Sequence, residues 1–240
     1  AGGDQPVALW KPCHIAIPPV ASNHLLSAQS NPGLTVSRSF AVNVTAGSLL
    51  FVRYVSFTND PLTWADNLNG AWTDGPAVYN GSLGARLGCA YFPNSAAGAI
   101  TVTGTGAQAA QNKCMVLSEY AGALTASPVD GTPVSNQSSG TSAISAGSIT
   151  TTQAGIIIGA AIYTPTSPDP TPNANFGGSV VTLSGNYPMA CEEWITSTGQ
   201  AQSVDWSSKD FWSAIGIAFK AAGGGGGPVY VPRGLLLGVG

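Results

Sequence analysis

Apolar residues in this chain occur in short runs that are separated by Ser, Thr, Gly, Asn and Pro. Three runs are nearly continuous, at residues 49–55, 115–117 and 156–158, whereas residues 98–105 alternate between apolar and polar side chains. Alternation with a period of two is what a strand with one buried face requires. No apolar stripe with helical spacing extends far enough for a substantial helix, so the pattern predicts an all-β protein.

The predicted strands follow one another at intervals of about 8–12 residues, with turn residues between them, which is typical of a β-sandwich or barrel. We predict an antiparallel, jelly-roll-like β-sandwich over residues 36–222. Its predicted strands cover residues 37–44, 49–57, 86–92, 98–105, 113–120, 144–152, 156–163, 180–183, 190–197, 202–207 and 212–219.

The two ends of the chain differ from this pattern. Residues 1–35 contain five prolines, which exclude long helices and central strands, and we expect an irregular arm on the domain or on a neighbouring subunit. Residues 223–227 are all glycine and form a flexible tether. The tether leads to the tail segment (residues 228–240), which is too short to fold alone and rich in apolar side chains.

The tail segment is predicted to be an assembly anchor. Its prolines keep it extended, a shape that suits addition to a sheet edge or to a groove on another subunit. Leaving its five large apolar side chains in water would cost several kcal/mol, since one full burial stabilises by about 1.5–3 kcal/mol. There are two alternatives: the tail segment docks on its own domain, or it is a disordered remnant. The anchor residues are Tyr230, Val231, Leu235, Leu236 and Leu237.

Charge is scarce in this chain. Only 19 of 240 residues are charged and the formal net charge is −3, whereas a soluble protein normally has about a quarter of its residues charged. Hydroxyls, amides and backbone must therefore solvate the surface, which is typical of extracellular or virion-surface modules. The eight basic residues are scattered, so we expect neither nucleic acid nor an anionic membrane as a partner. No hydrophobic stretch is long enough for membrane insertion.

The four cysteines are widely spaced and contain no C-x-x-C pair. We expect them to be mostly reduced and buried, and the alternative is that two of them form one disulfide. No export signal opens the sequence, and its first residue, Ala1, fits a removed methionine, a cleaved signal or a trimmed chain equally well.

Several short motifs follow one another in a fixed order along residues 36–222. They are Ala46-Gly47 before an apolar run, Thr101-Val102-Thr103, Glu119-Tyr120-Ala121-Gly122, Pro128-Val129-Asp130, Thr150-Thr151-Thr152, and a final strand from Trp212 to Ala221. This order resembles a β-sandwich module found in bacteriophage structural proteins and bacterial secreted proteins. The resemblance implies a jelly-roll or concanavalin-like fold without known catalytic residues.

Glu192 and Glu193 are adjacent carboxylates, and paired carboxylates perform glycoside hydrolysis. Neighbouring residues in a strand face opposite sides, so we expect one to pair with an arginine and the other to face solvent. The nucleophile-elbow motif G-x-S-x-G is absent from the sequence. We therefore predict that the protein is not an enzyme and holds no metal and no cofactor.

The region between residues 64 and 79 offers a candidate glycan site, because sugar-binding proteins stack rings on exposed aromatics and bond hydroxyls with Asn and Asp. The aromatic residues have an alternative role in filling the core. The polar loop between them has two alternatives, an Asx-turn, which we favour, and a Ca²⁺ site. The candidate residues are Trp64, Asp66, Asn67, Asn69, Trp72 and Tyr79.

Together these features predict a non-catalytic structural protein at the surface of a bacteriophage virion, as a decoration, fibre or tail-associated subunit. Arms that one domain cannot fully bury indicate exchange between copies, so the expected partners are other virion subunits in a homo-oligomer, with a cell-surface glycan as a further ligand. The alternative is a secreted bacterial carbohydrate-binding module cut from a larger enzyme or adhesin, for which the glycine tether would be the module boundary.

Overall fold

The chain folds as an all-β protein in the computed structural model, which describes residues 17, 19–30, 33–109, 111–165, 169–174, 176–182, 188–196 and 201–223. Within those ranges the only helical element is a single 3-10 turn at Ala21–Asn23. No helix in the described part has the length and apolarity needed to span a membrane. The predicted all-β, antiparallel class is confirmed.

The described residues form sixteen strands, named here in chain order. They are β1 (Leu26–Ser30), β2 (Thr35–Ser39), β3 (Leu49–Ser56), β4 (Thr63–Asp66), β5 (Gly70–Ala71), β6 (Thr73–Asn80), β7 (Ala85–Phe92), β8 (Thr101–Thr105), β9 (Lys113–Tyr120), β10 (Val134–Ser138), β11 (Ser142–Thr150), β12 (Gly155–Tyr163), β13 (Gly177–Thr182), β14 (Pro188–Thr196), β15 (Ala201–Lys209) and β16 (Trp212–Lys220).

Four antiparallel sheets form a stack rather than a simple pair. Central sheet I has the strand order β1-β9-β3-β7-β6, and central sheet II has the order β10-β16-β12-β14-β13. Outer sheet I (β2-β8-β4-β5) packs on the free face of central sheet I, and outer sheet II (β11-β15) packs on the free face of central sheet II. The two central sheets pack against each other, as in a β-sandwich.

The central sheets explain the continuous apolar runs of the sequence. Strands β3, β9 and β12 are buried at every position, because each lies between two other layers. In β3, Leu49, Phe51 and Val55 point into the core between the central sheets, whereas Leu50 and Val52 point towards outer sheet I. A strand that is buried on both faces needs apolar residues at successive positions, so it loses the alternation typical of a one-sided strand.

The predicted strands in the apolar runs are confirmed, and the strand over residues 113–120 has the bounds that the sequence indicates. Five strands are additional: β1, β4, β5, β6 and β10. Strand β1 belongs to the segment expected to be an irregular arm, and it pairs with β9 at the edge of central sheet I. Strand β6 contains Pro76, which is accommodated because β6 is an edge strand with a register shift between Asp74 and Ala77.

Glycines let aromatic rings lie flat on the strands between central sheet I and outer sheet I. Trp64 pairs with Gly104 across β4 and β8, and its ring covers the glycine so closely that a Cβ there would be 2.5 Å from the ring. The ring of Tyr54 lies 5.4 Å from that of Trp64 and limits its movement. Gly104 is therefore a packing requirement rather than a turn residue.

Replacing Gly104 with alanine should lower the free energy of unfolding by about 1–3 kcal/mol, because the added methyl group overpacks the layer below Trp64. Urea unfolding at 25 °C measures the loss. The matched control is Gly140→Ala, since a Cβ at Gly140 meets no atom within 4 Å. Equal effects of the two substitutions would contradict this account of the packing.

Candidate functional site

A buried charged group links the two central sheets. Arg53 of β3 is 0% exposed and faces the core between the sheets, where it replaces an apolar side chain. Its Nη2 donates a hydrogen bond of 2.8 Å to Oε1 of Glu193, on β14 of the opposite sheet, and one of 3.3 Å to the hydroxyl of Tyr120. A buried charge is tolerated only when it is paired and hydrogen-bonded, and Glu193 supplies the pairing charge.

Glu193 collects three donors on one oxygen. Besides Arg53, the hydroxyl of Tyr120 donates a short hydrogen bond to Oε1, and Nε2 of His24 lies 2.8 Å from it. Burial alone would raise the pKa of Glu193, but the hydrogen bond from His24 and the charge of Arg53 outweigh it and lower the pKa to about 2. Glu193 is therefore a carboxylate at every physiological pH.

His24 reaches this cluster from the turn before β1. The next residue, Leu25, has a φ of +53°, a left-handed conformation that is costly for a residue with a Cβ. The backbone N–H of Leu25 donates to Oγ of Ser118, 3.2 Å away, and the His24 ring stands edge-on to the Tyr120 ring. These contacts hold the strained turn, and the turn directs His24 towards Glu193.

A cavity of about 350 Å³ opens beside Glu193. It lies between the turn that precedes β1, the edge strand of central sheet I, and strands β12, β13 and β14 of central sheet II. Burial raises the pKa of the Cys191 thiol in its wall to about 11, so this thiol is protonated at neutral pH and is a weak nucleophile. The described lining residues are Pro19, His24, Leu25, Ile156, Gly177, Gly178, Cys191 and Glu193.

Glu192 lies on the other face of β14 and has a different environment. It is 1% exposed, between central sheet II and outer sheet II, and neither carboxyl oxygen has a hydrogen-bond partner among the described residues. Burial, together with the charge of Asp205, raises the pKa of Glu192 to about 9. Gly159 makes room for this side chain, since a Cβ there would be 2.8 Å from Cγ of Glu192.

The expectation for the two glutamates is thus half confirmed. They face opposite sides of the strand, and Glu193 pairs with an arginine, Arg53. The expectation that the other carboxyl faces solvent is wrong, because outer sheet II covers the face on which Glu192 lies. The two carboxyl groups therefore do not meet in one cleft, as glycoside hydrolysis would require.

The two tryptophans of the predicted glycan site are buried. Trp64 is 3% exposed and Trp72 is 8% exposed, and both rings belong to the core between central sheet I and outer sheet I. The alternating pattern of β4 places Trp64 on the inner face of the outer sheet. Neither ring can stack on a sugar, and both fill the core.

The polar loop between these tryptophans is an Asx-turn, as the favoured interpretation predicts. Oδ1 of Asp66 accepts from the N–H groups of Leu68 and Asn69, and Oδ2 accepts from Nε1 of Trp72 at 2.7 Å. Asn67 bonds to the backbone of Ala99 and Thr101. These side chains hold the loop against the sheet, so their oxygen atoms are engaged within the protein.

The other predicted residues are placed only in part. Tyr79 is half-buried on β6, opposite Arg86 of β7, and lies apart from the Asx-turn strands in another sheet. The anchor residues Tyr230, Val231, Leu235, Leu236 and Leu237 lie outside the described residues. Cys89, Cys114 and Cys191 are buried thiols outside any disulfide bond, which confirms the expectation for these three, while Cys13 is outside the described ranges.

The sequence contains one signal for the buried cluster. Arg53 interrupts an otherwise apolar run, and a charge inside a strand that is buried on both faces requires a partner. Tyr120 and His24 carry no such signal, because their proximity depends on how the strands pair. In the described part of the chain, no three or more His, Cys, Asp or Glu side chains are grouped to hold a metal ion.

The chain matches no protein-family model, no curated protein and no solved structure in the comparisons with known proteins.

Glu193→Gln should reduce the free energy of unfolding by about 3–5 kcal/mol, because it leaves the buried Arg53 charge without its partner. Chemical denaturation at pH 7 measures the change. Glu192→Gln is the matched control, since it makes the same chemical change at the adjacent residue, whose side chain lies on the opposite face of β14. A loss for Glu192→Gln that equals the loss for Glu193→Gln would contradict the assignment of the buried ion pair.

Glu192 should make the free energy of unfolding decrease as the pH rises. Its folded pKa, about 9, is above the ordinary 4.5, so its contribution is complete below about pH 4.5 and is lost as the pH rises towards 9. The variant Glu192→Gln should lose less stability across this window than the unmodified protein. Glu193 acts in the opposite direction, with stability lost as the pH falls from 4.5 to about 2. Denaturation curves between pH 3 and 9 for both variants would test the two signs.

Proposed function

We propose that the protein is a non-catalytic structural subunit of a bacteriophage virion, in the class of decoration, fibre or tail-associated proteins. In this proposal its partners are other virion subunits, and the β-sheet stack faces outward. The order of motifs in the sequence supports the phage assignment by resemblance. The observation that supports the structural role is that the folded chain exposes few charged side chains.

Much of the small amount of charge in this protein is used inside it. Lys113 donates from Nζ to the carbonyl oxygens of Gly33 and Gln108, and Asp130 accepts from the backbone and hydroxyl of Thr152. These residues hold loops and layers together, so they do not contribute to a charged surface. The buried charged residues of the described chain are Arg53, Asp60, Lys113, Glu119, Asp130, Glu192 and Lys209.

The outer sheets present hydroxyl groups to solvent instead. On outer sheet I, the side chains of Ser37 and Thr103 are hydrogen-bonded at 2.8 Å, and so are those of Ser39 and Thr101. On outer sheet II, Ser148 and Ser203 form the same kind of pair. A weakly charged surface produces little repulsion between neighbouring copies, and low net charge favours association, which suits a subunit packed at high density on a particle.

The two glutamates support the non-catalytic part of the proposal. Glu193 is engaged by Arg53, Tyr120 and His24, and Glu192 is enclosed on the other face of the strand. A general acid and a general base must reach the same substrate, and these carboxyl groups cannot. A glycan-binding role would have to use surfaces other than the buried Trp64 and Trp72.

A secreted carbohydrate-binding module remains the alternative function. A gene that encodes a signal peptide upstream of this sequence, or one that continues into an enzyme or adhesin, would favour that alternative. A gene that lies among capsid or tail genes would favour the virion subunit.

Deleting residues 228–240 should leave a folded and soluble β-sheet stack that no longer enters its assembly. The physical reason is that the tail segment carries the apolar side chains that one domain leaves for a neighbour to bury. Circular dichroism measures the fold, and co-sedimentation with assembled particles measures incorporation.

The length-matched control replaces Leu235, Leu236 and Leu237 by serine in the full chain, and it should lose incorporation to a similar extent. Normal incorporation of the deleted protein would contradict the anchor role.

A further inference from the structure

The cavity beside Glu193 has one polar wall and several apolar ones. The apolar walls are the side chains of Pro19, Leu25 and Ile156, and the polar wall is formed by Glu193 and His24. We infer that this cavity binds a flat apolar group that carries a single hydrogen-bond donor, with phenols as the chemical class. The inference is independent of the proposed virion role.

The acceptor for that donor is the second carboxylate oxygen of Glu193. Oε1 already accepts hydrogen bonds from Arg53, His24 and Tyr120, whereas Oε2 has no hydrogen-bond partner among the described residues. A carboxylate oxygen in a partly enclosed site gains most from a donor, because hydrogen bonds to charged groups are stronger than those between neutral groups. The ligand therefore needs an O–H or N–H group that can reach Oε2 of Glu193.

The ligand is neutral because the charges of the cavity already cancel. The Glu193 carboxylate is neutralised by the guanidinium of Arg53, 2.8 Å away, and Arg53 is fully buried behind the wall. A cation would compete with Arg53 for the same carboxylate, and an anion would face that carboxylate directly. A hydroxyl group satisfies Oε2 without adding a charge to a largely apolar cavity.

The shape of the ligand follows from the glycines of β13. Gly177 and Gly178 both line the cavity, and Gly177 leaves bare backbone on the cavity face, whereas a Cβ on Gly178 would point towards Pro172. Gly177 pairs with Glu193 and shares its face of the sheet, and the atom nearest to a Cβ built on Gly177 is the carbonyl oxygen of Glu193, 3.9 Å away. A ring can lie on this strip, and about 350 Å³ is enough for a six-membered ring with substituents.

The geometry of the cavity is maintained at a cost to the backbone. Leu25 adopts a φ of +53°, and this turn brings both Leu25 and His24 to the cavity wall. Strained backbone of this kind persists where the surrounding structure holds it, and it clusters at ligand sites. The strain at Leu25 is a second observation, separate from the cavity itself, that supports a binding role.

The test uses the full chain and two matched probes, 4-methylphenol and 4-methylanisole, which differ in the presence of the donor. Titration calorimetry should show saturable binding of 4-methylphenol, and about tenfold weaker binding of 4-methylanisole because Oε2 stays unpaired. Equal affinity for the two probes would overturn the role of Glu193, and no saturable binding of either probe to any variant would overturn the site.

The location of the binding site is tested by adding a side chain at Gly177, which would fill part of the cavity. Gly177→Leu should weaken 4-methylphenol binding by about tenfold or more, and Gly177→Ala should have a smaller effect in the same direction. The control is Gly140→Leu, at a position with open space, which should bind as the unmodified protein does. If the leucine variant does not fold, the alanine variant decides, and unchanged affinity in it would overturn the location.

Discussion

Burial of the two central sheets on both faces is the constraint on which the other features of this molecule depend. The inner strands β3, β9 and β12 are buried at every position, so a polar residue in them has no route to solvent and must find a partner inside. Outer sheets I and II exist to cover the faces that a two-layer sandwich would leave to water. Their own outer faces are free to be polar, and Ser and Thr occupy them.

The ion pair between Arg53 and Glu193 is the consequence of this constraint at the mouth of the central core. A buried pair of this kind adds little net stability relative to an apolar pair, since desolvation of the two charges offsets their attraction. The pair joins β3 of central sheet I to β14 of central sheet II, so it constrains how the two sheets pack against each other. On the far edge of the same sheets, the amide of Asn80 serves a similar purpose, donating to the carbonyl oxygens of Ser138 and Trp212.

Adjacent residues of one strand can therefore have opposite chemistry. Glu193 is ionised at the edge of a cavity, and Glu192, one residue earlier, is neutral in a closed core. The difference arises from the layers on the two sides of β14 rather than from the residues themselves.

The sequence by itself determined the strand class, most strand positions and the surface chemistry, because these follow from local periodicity and composition. Leu49 to Val55 and the isoleucines 156–158 identify their strands without any tertiary information. The tertiary structure alone decided the four layers, the burial of Trp64 and Trp72, and the meeting of His24, Arg53, Tyr120 and Glu193. These residues are far apart in the chain, and their proximity depends on which strands pair and which faces pack, which no local pattern encodes.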